Sequence, residues 1–204
     1  MEKLVRVTIL FIALSFIIMP VTLGEAADSK ASPQDKIIAD CTATIAANSQ
    51  DFISYYARGQ AYAQKRLFDE AIVDFSKAIE INPNYAAAYN ARGAVYQVRK
   101  KYDEAIDNYT HAIKIDAAFS LAYTNRAMTY CAKENWDLVL QDSNKAIELS
   151  PKLPRSYYAK GLAHYMKHQY DDSIIAFRYL IANSTDAVLI EQAKGYIRAM
   201  GVNG

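Results

Sequence analysis

FISYYARGQAYAQKRLFDEAIVDFSKAIEINPNY, residues 52–85, runs straight into AAAYNARGAVYQVRKKYDEAIDNYTHAIKIDAAF, residues 86–119. Laid over one another, the two stretches match in residue type at most apolar positions, and the register continues to residue 187. Tyr55, Tyr89, Tyr123 and Tyr157 recur without a slip, as do Gly59, Gly93, Ala127 and Gly161. Tyr62, Tyr96, Tyr130 and His164 follow. Phe68, Tyr102, Trp136 and Tyr170 each precede an Asp, and Ile79, Ile113, Ile147 and Ile181 are one residue four times over. Self-similarity at a fixed period marks stacked units, none of which buries its apolar face alone.

Each unit divides into two helical stretches joined by a short turn. In the first, Tyr55, Gly59 and Tyr62 stand four and three apart, one face of a 3.6-residue helix. A glycine inside a helix costs roughly 1 kcal/mol against Ala, so its return implies close approach by a neighbouring helix. In the second stretch Asp69 is the expected N-terminal cap, and Ala71, Phe75, Ala78 and Ile79 form the apolar face. Asn82-Pro83 and Ser150-Pro151 end it, because the residue before Pro is pushed out of the helical region. Ala117 and Thr185 stand in place of Pro in the second and fourth copies, which softens those boundaries.

The pattern resembles the tetratricopeptide repeat, with copies at 52–85, 86–119, 120–153 and 154–187. The resemblance implies an all-α solenoid: four two-helix repeats in a right-handed superhelix whose first helices line a concave groove. One departure is regular. Arg58, Arg92, Arg126 and Lys160 stand where the family has Leu, and their stems are expected to lie along apolar surface. Upstream, Ser32-Pro33 is a helix start, and Ile37, Ile38, Cys41 and Ile45 make an apolar stripe. This helix, 34–48, aligns with the second helix of a repeat and reads as a decayed half-repeat. Downstream, 188–204 reads as a capping helix, with Gly195 at the repeat-glycine position and Gly201 as its stop.

Carrying the family's groove positions over names Tyr56, Gln60 and Gln64 in the first copy, and Asn90, Ala94 and Gln97 in the second. Thr124, Met128 and Cys131 follow in the third, Tyr158, Leu162 and Tyr165 in the fourth, then Gln192 and Tyr196 in the cap. None is charged, which suits a peptide or protein segment with apolar anchors and backbone groups for the amides to bond. Truncating Tyr158 and Tyr165 is expected to weaken partner binding and leave helicity intact. One subtype of the family grips a terminal carboxylate with Lys and Arg. The matching positions here, Tyr56, Gln60, Ala91, Leu121 and Asn125, hold no base, which argues against that ligand.

Composition narrows the function further. The 204 residues carry a net charge of +1 with acids and bases interleaved, so no basic surface for nucleic acid is expected. No phosphate loop or catalytic signature is present, and no small-molecule substrate or cofactor is implied. His164 and His168 lie four apart without a third ligand, so no metal is expected. The reading is a binding scaffold, not an enzyme.

The N-terminus reads as an export signal, residues 1–26, followed by a linker over 27–33. Glu2, Lys3 and Arg6 form a charged start, Val7 to Met19 carries no charge, Pro20 breaks the run, and Gly24-Glu25-Ala26 offers small residues for cleavage. The uncharged run is short of the ~20 residues that span a bilayer. The alternative is an inner-membrane-anchored assembly subunit with an uncleaved Val7–Leu23 helix. Cleavage places the chain in a bacterial periplasm or outside the cell, and self-association is left open. The repeat register separates Cys41 from Cys131 by nearly three repeats, on the order of 25 Å at the usual spacing of packed helices. That is too far for a disulfide.

Overall fold

The computed structural model describes residues 32–202. The export-signal reading therefore lies outside the described residues, as does all but the end of the linker. Ten α-helices follow one another: α1 Pro33–Ala47, α2 Phe52–Gln64, α3 Phe68–Ile81, α4 Ala86–Val98, α5 Tyr102–Ile115, α6 Ser120–Ala132, α7 Trp136–Leu149, α8 Pro154–Met166, α9 Tyr170–Asn183 and α10 Ala187–Ala199. No strand occurs among the described residues. The chain divides into two units between Ile115 and Asp116, in the turn where Ala117 replaces the repeat's proline. The first unit holds α1–α5 and the second α6–α10.

Local chemistry starts and stops these helices. Ser32 and Asp35 form a reciprocal capping box at α1, Asp51 caps α2, and Asp186 caps α10 through the N–H groups of Val188 and Leu189. Asp69 does not cap α3. The cap position is Leu67, without a side-chain bond, and Asp69 sits in the first turn, where its charge suits the helix dipole. It pairs instead with Arg99 of the next hairpin, and Asp35–Lys65 and Asp137–Lys167 repeat that link at the same register. In each of the four hairpins the first helix ends in a left-handed residue that is not glycine: Arg66, Lys100, Glu134 or His168. The next N–H bonds back to the carbonyl five residues earlier, as Leu67 does to Tyr62 at 2.9 Å, satisfying the helix end.

Within three of the four hairpins the contact is a glycine against an aromatic ring. A Cβ at Gly59 would come within 2.8 Å of Phe75 Cε1, at Gly93 within 2.9 Å of Tyr109 Cε1, and at Gly161 within 2.8 Å of Phe177 Cε1. The three rings are fully buried. The third copy changes both members together. Ser143 takes the ring's position, and Ala127, with its extra methyl, takes the glycine's.

The basic residue one position before that glycine does more than lay its stem on apolar surface. Arg58 donates from Nε and Nη2 to the two carboxylate oxygens of Asp74 at 2.7 and 2.8 Å, and from Nη1 to Thr42 Oγ1 on α1. Its guanidinium lies 5.6 and 5.9 Å from the Tyr55 and Tyr62 ring centres, within cation–π range. Arg126 repeats the arrangement with Asp142, Tyr123 and Tyr130. Arg92 meets a neutral partner, Asn108, at 2.8 Å and reaches Ser76 on α3. The bond to Asp74 raises the pKa of Arg58, whereas burial lowers that of Arg92. In the fourth copy the two positions hold Lys160 and Ala176.

Removing one member of such a pair strands a desolvated charge, which costs about 3–5 kcal/mol, whereas replacing both by apolar residues is often neutral. Arg126→Leu alone is therefore expected to lower the urea midpoint sharply. Adding Asp142→Ala, which recreates the apolar partner found at Ala176, should restore most of it. Equal midpoints for the single and double variants would show that the pair is not desolvated in solution.

Candidate functional site

The residues that the family resemblance places in a groove divide between surface and core. In the first unit the three α2 positions reach the surface to different degrees. Gln60 and Gln64 are exposed and Tyr56 is half-buried. Gln60 Nε2 donates to the Tyr56 hydroxyl at 2.9 Å, and Gln34 Nε2 on α1 donates to Gln64 Oε1 at 3.2 Å. Tyr56 is held edge-on to Tyr85, with ring centres 5.1 Å apart, and tilted against Phe75 at 5.8 Å. Burial, then the neighbouring Tyr85, raises its phenol pKa. On α4, Ala94 is half-buried, but Asn90 and Gln97 are buried. Gln97 is also committed inside the hairpin, accepting a 2.8 Å bond from the Tyr109 hydroxyl.

Two residues that complete this surface escaped the sequence reading. Ile53, one turn before Tyr56, is 50% exposed. Tyr85, the last residue of the first copy, lies edge-on to both Phe52 and Tyr56 at 5.1 Å. The available signal was Ile53's position: three before Tyr56, it shares a helix face with it. A register slip also shows. Gln97, Cys131 and Tyr165 align with Ala63, which is buried, not with Gln64.

In the second unit the same positions form core. Thr124, Met128, Cys131, Tyr158 and Leu162 are buried, and Tyr196 nearly so, with Tyr165 and Gln192 half-buried. Adjacent first helices pack side by side, so these side chains face each other: Thr124 Oγ1 and Ser156 Oγ lie 2.8 Å apart. The capping helix adds a second cover. The Tyr196 ring stacks on Phe177 at 5.3 Å and lies edge-on to Tyr165 at 5.0 Å and Tyr158 at 6.3 Å. Burial pushes the Tyr196 phenol up to about 12 and raises that of Tyr158 as well. Truncating Tyr158 together with Tyr165, expected above to leave helicity intact, would therefore cut into the core. Tyr158 is wholly buried, and large-to-Ala changes of core aromatics cost about 3–5 kcal/mol.

Reactive side chains are absorbed by structure. His164 Nδ1 engages Gln169 Oε1 at 2.8 Å, and His168 Nδ1 the Tyr170 hydroxyl at 2.9 Å. Among the described residues no three His, Cys, Asp or Glu side chains converge as metal ligands. Both cysteines are free thiols. Burial pushes the Cys131 thiol to about 12 and raises that of the half-buried Cys41 more modestly. The thiolate is the reacting form. In dilute native protein at pH 8, Ellman's reagent is therefore expected to titrate Cys41 alone, and both thiols in denaturant. Two fast thiols in the native state would mean that the core of the second unit is open.

A family model for the tetratricopeptide repeat matches residues 52–85 and 86–119. MamA 41-end from Desulfovibrio magneticus RS-1 is similar in structure, with a TM-score of 0.67 and 18% identity over 80% of this chain and 88% of that one. TTC0263, a thermophilic tetratricopeptide protein of Thermus thermophilus, gives 0.66 and 13% over 81% and 91%. A chain of the APC/C hetero-tetramer Cut9–Hcn1 gives 0.74 and 17%, over 82% of this chain and 34% of that one. No curated protein sequence matches. The chain carries tetratricopeptide repeats, and its fold is the all-α solenoid that they build.

Proposed function

We propose that this chain is a non-catalytic scaffold that holds a peptide segment of another protein against the α2–α4 side of its first unit. One observation carries the reading: Ile53 stands half-exposed beside Tyr56, Gln60 and Gln64, an uncharged set with an apolar anchor and free amide capacity. An apolar side chain of the guest buries on Ile53 and the Tyr56 ring, and the amides bond its backbone. Two bases beside this surface are paired with acids, Lys65 with Asp35 on α1 and Arg99 with Asp69. The Cut9–Hcn1 structure supports the reading to the extent that a chain of this fold there belongs to a hetero-tetramer.

Recognition without ion pairs is nearly independent of salt, since screening acts on charges. Peptides selected on the purified protein are expected to bind with little change between low and high salt. Ile53→Asp should weaken them on the order of tenfold, as loss of an apolar anchor does, without shifting the melting temperature. Undiminished binding by that variant, or a steep salt dependence, would remove α2 as the binding surface.

The scaffold works outside the cytoplasm in this reading, supported by the charged start and uncharged run before Pro20. No helix among the described residues is long and apolar enough to cross a membrane, so the anchored alternative rests on Val7–Leu23 alone. Intact mass of the native protein separates the two: loss of about 26 residues is expected on cleavage, and a full-length mass in the membrane fraction establishes the anchor.

A further inference from the structure

Helix α10 is a first helix without its second. Gly195 stands one repeat after Gly161, yet a Cβ there would meet nothing within 4 Å, where Gly59, Gly93 and Gly161 each face a ring. Beside it Glu191, Lys194 and Arg198 are exposed. Helix α1 is a second helix without its first. Its Ile37 and Cys41 occupy the positions of Ala71 and Phe75, which are 0% and 1% exposed, but Ile37 is 41% exposed and Cys41 half-buried. Among the described residues nothing fills the space over Gly195, and Ile37 stands in solvent.

We propose that the two ends complete one another between copies: α1 of a second copy docks on α10 and closes the fifth hairpin. Charge selects this occupant. In the first three hairpins the base before the glycine (or Ala127) meets a partner one position before the ring position: Asp74 for Arg58, Asn108 for Arg92, Asp142 for Arg126. At the open ends those same positions hold Lys194 on α10 and Asp40 on α1. The repeat geometry sets Lys194 of one copy on Asp40 of the next, with the small Cys41 side chain over Gly195. Thr44 adds no polar cost, because its hydroxyl is already spent on the Asp40 carbonyl at 3.0 Å. Glu191 and Arg198, which replace the flanking tyrosines, pair across Gly195 at 2.9 Å and stay at the rim. Without a buried aromatic at its centre the contact is weaker than an internal hairpin, so it forms at high protein concentration. The two faces differ, so the association is heterologous and copies add end to end.

Sedimentation of the full chain over a concentration series tests this. The weight-average mass is expected to climb past that of a dimer as concentration rises. Lys194→Glu should weaken association on the order of tenfold by setting like charges together. Mixing that variant with Asp40→Lys copies should restore it, because the charges are then exchanged across the contact. Gly195→Leu should abolish association without lowering the melting temperature, since its side chain fills only the space that the second copy needs and a helical glycine is removed. A monomer at every concentration overturns the proposal, as does association indifferent to Lys194→Glu. A monomer whose Cys41 resists alkylation also overturns it, assigning the α1 face to the chain's own residues 1–31.

Discussion

A glycine pressed against an aromatic ring is the contact on which the hairpins depend. Without a Cβ at Gly59, Gly93 or Gly161 the second helix comes close enough for Phe75, Tyr109 or Phe177 to lie over the first helix's backbone. That closeness brings Arg58 within bonding reach of Asp74 and sets the distance at which the next hairpin stacks. Protein interiors are packed near crystal density, so a change in one member of the contact forces a change in the other. The third copy shows this, with Ser143 and Ala127 both altered.

The buried polar links add direction to that packing. A guanidinium between two tyrosine rings, bonded twice to a carboxylate, has one acceptable position. A slip of one helix by a turn would leave Asp74 or Asp142 desolvated and unpaired, the costly outcome for a buried charge. Apolar faces alone tolerate sliding much better. The stack is therefore ordered by two interactions of different kind: the ring contact sets how near the helices lie, and the ion pair sets their register. Lys160 with Ala176 shows that a hairpin near the end of the array, covered by α10, holds without the second device.

Most of the fold could be read from residues because its determinants repeat. Four copies of Tyr and Ile and three of Gly at one spacing report helix faces directly, and Ser32-Pro33 and Gly201 mark ends through backbone chemistry that needs no tertiary context. The role of Arg58 could not be read this way, since its partner Asp74 lies on another helix and either residue alone looks like solvated surface. Nor could the left-handed turns at Arg66 and Glu134, which lack the usual glycine. Of the expected groove positions, only those on α2 and Ala94 on α4 lie at the open surface of the first unit. Whether a groove position is lining or core depends on its neighbour's size and on what covers it, so Tyr56 is half-open and Tyr158, its counterpart in register, is sealed.

That difference bears on the proposed guest of α2. On α8 the groove-type positions are not left for a guest: α10 lays Tyr196 against Tyr158, Tyr165 and Phe177, ring on ring at 5.0 to 6.3 Å. The chain thus supplies its own example of a side chain seated on the aromatic face of a first helix, held by offset and edge-on ring geometry instead of charge. On α2 the rings of Tyr56, Tyr85 and Phe52 are arranged with the same edge-on spacing, but no described helix of the chain lays a tyrosine across them in the manner of Tyr196, and Ile53 stays half in solvent. The apolar area left there is small and flanked by amides. It suits one anchoring side chain on an extended backbone better than a broad globular face, which would need far more buried surface than a single helix turn provides.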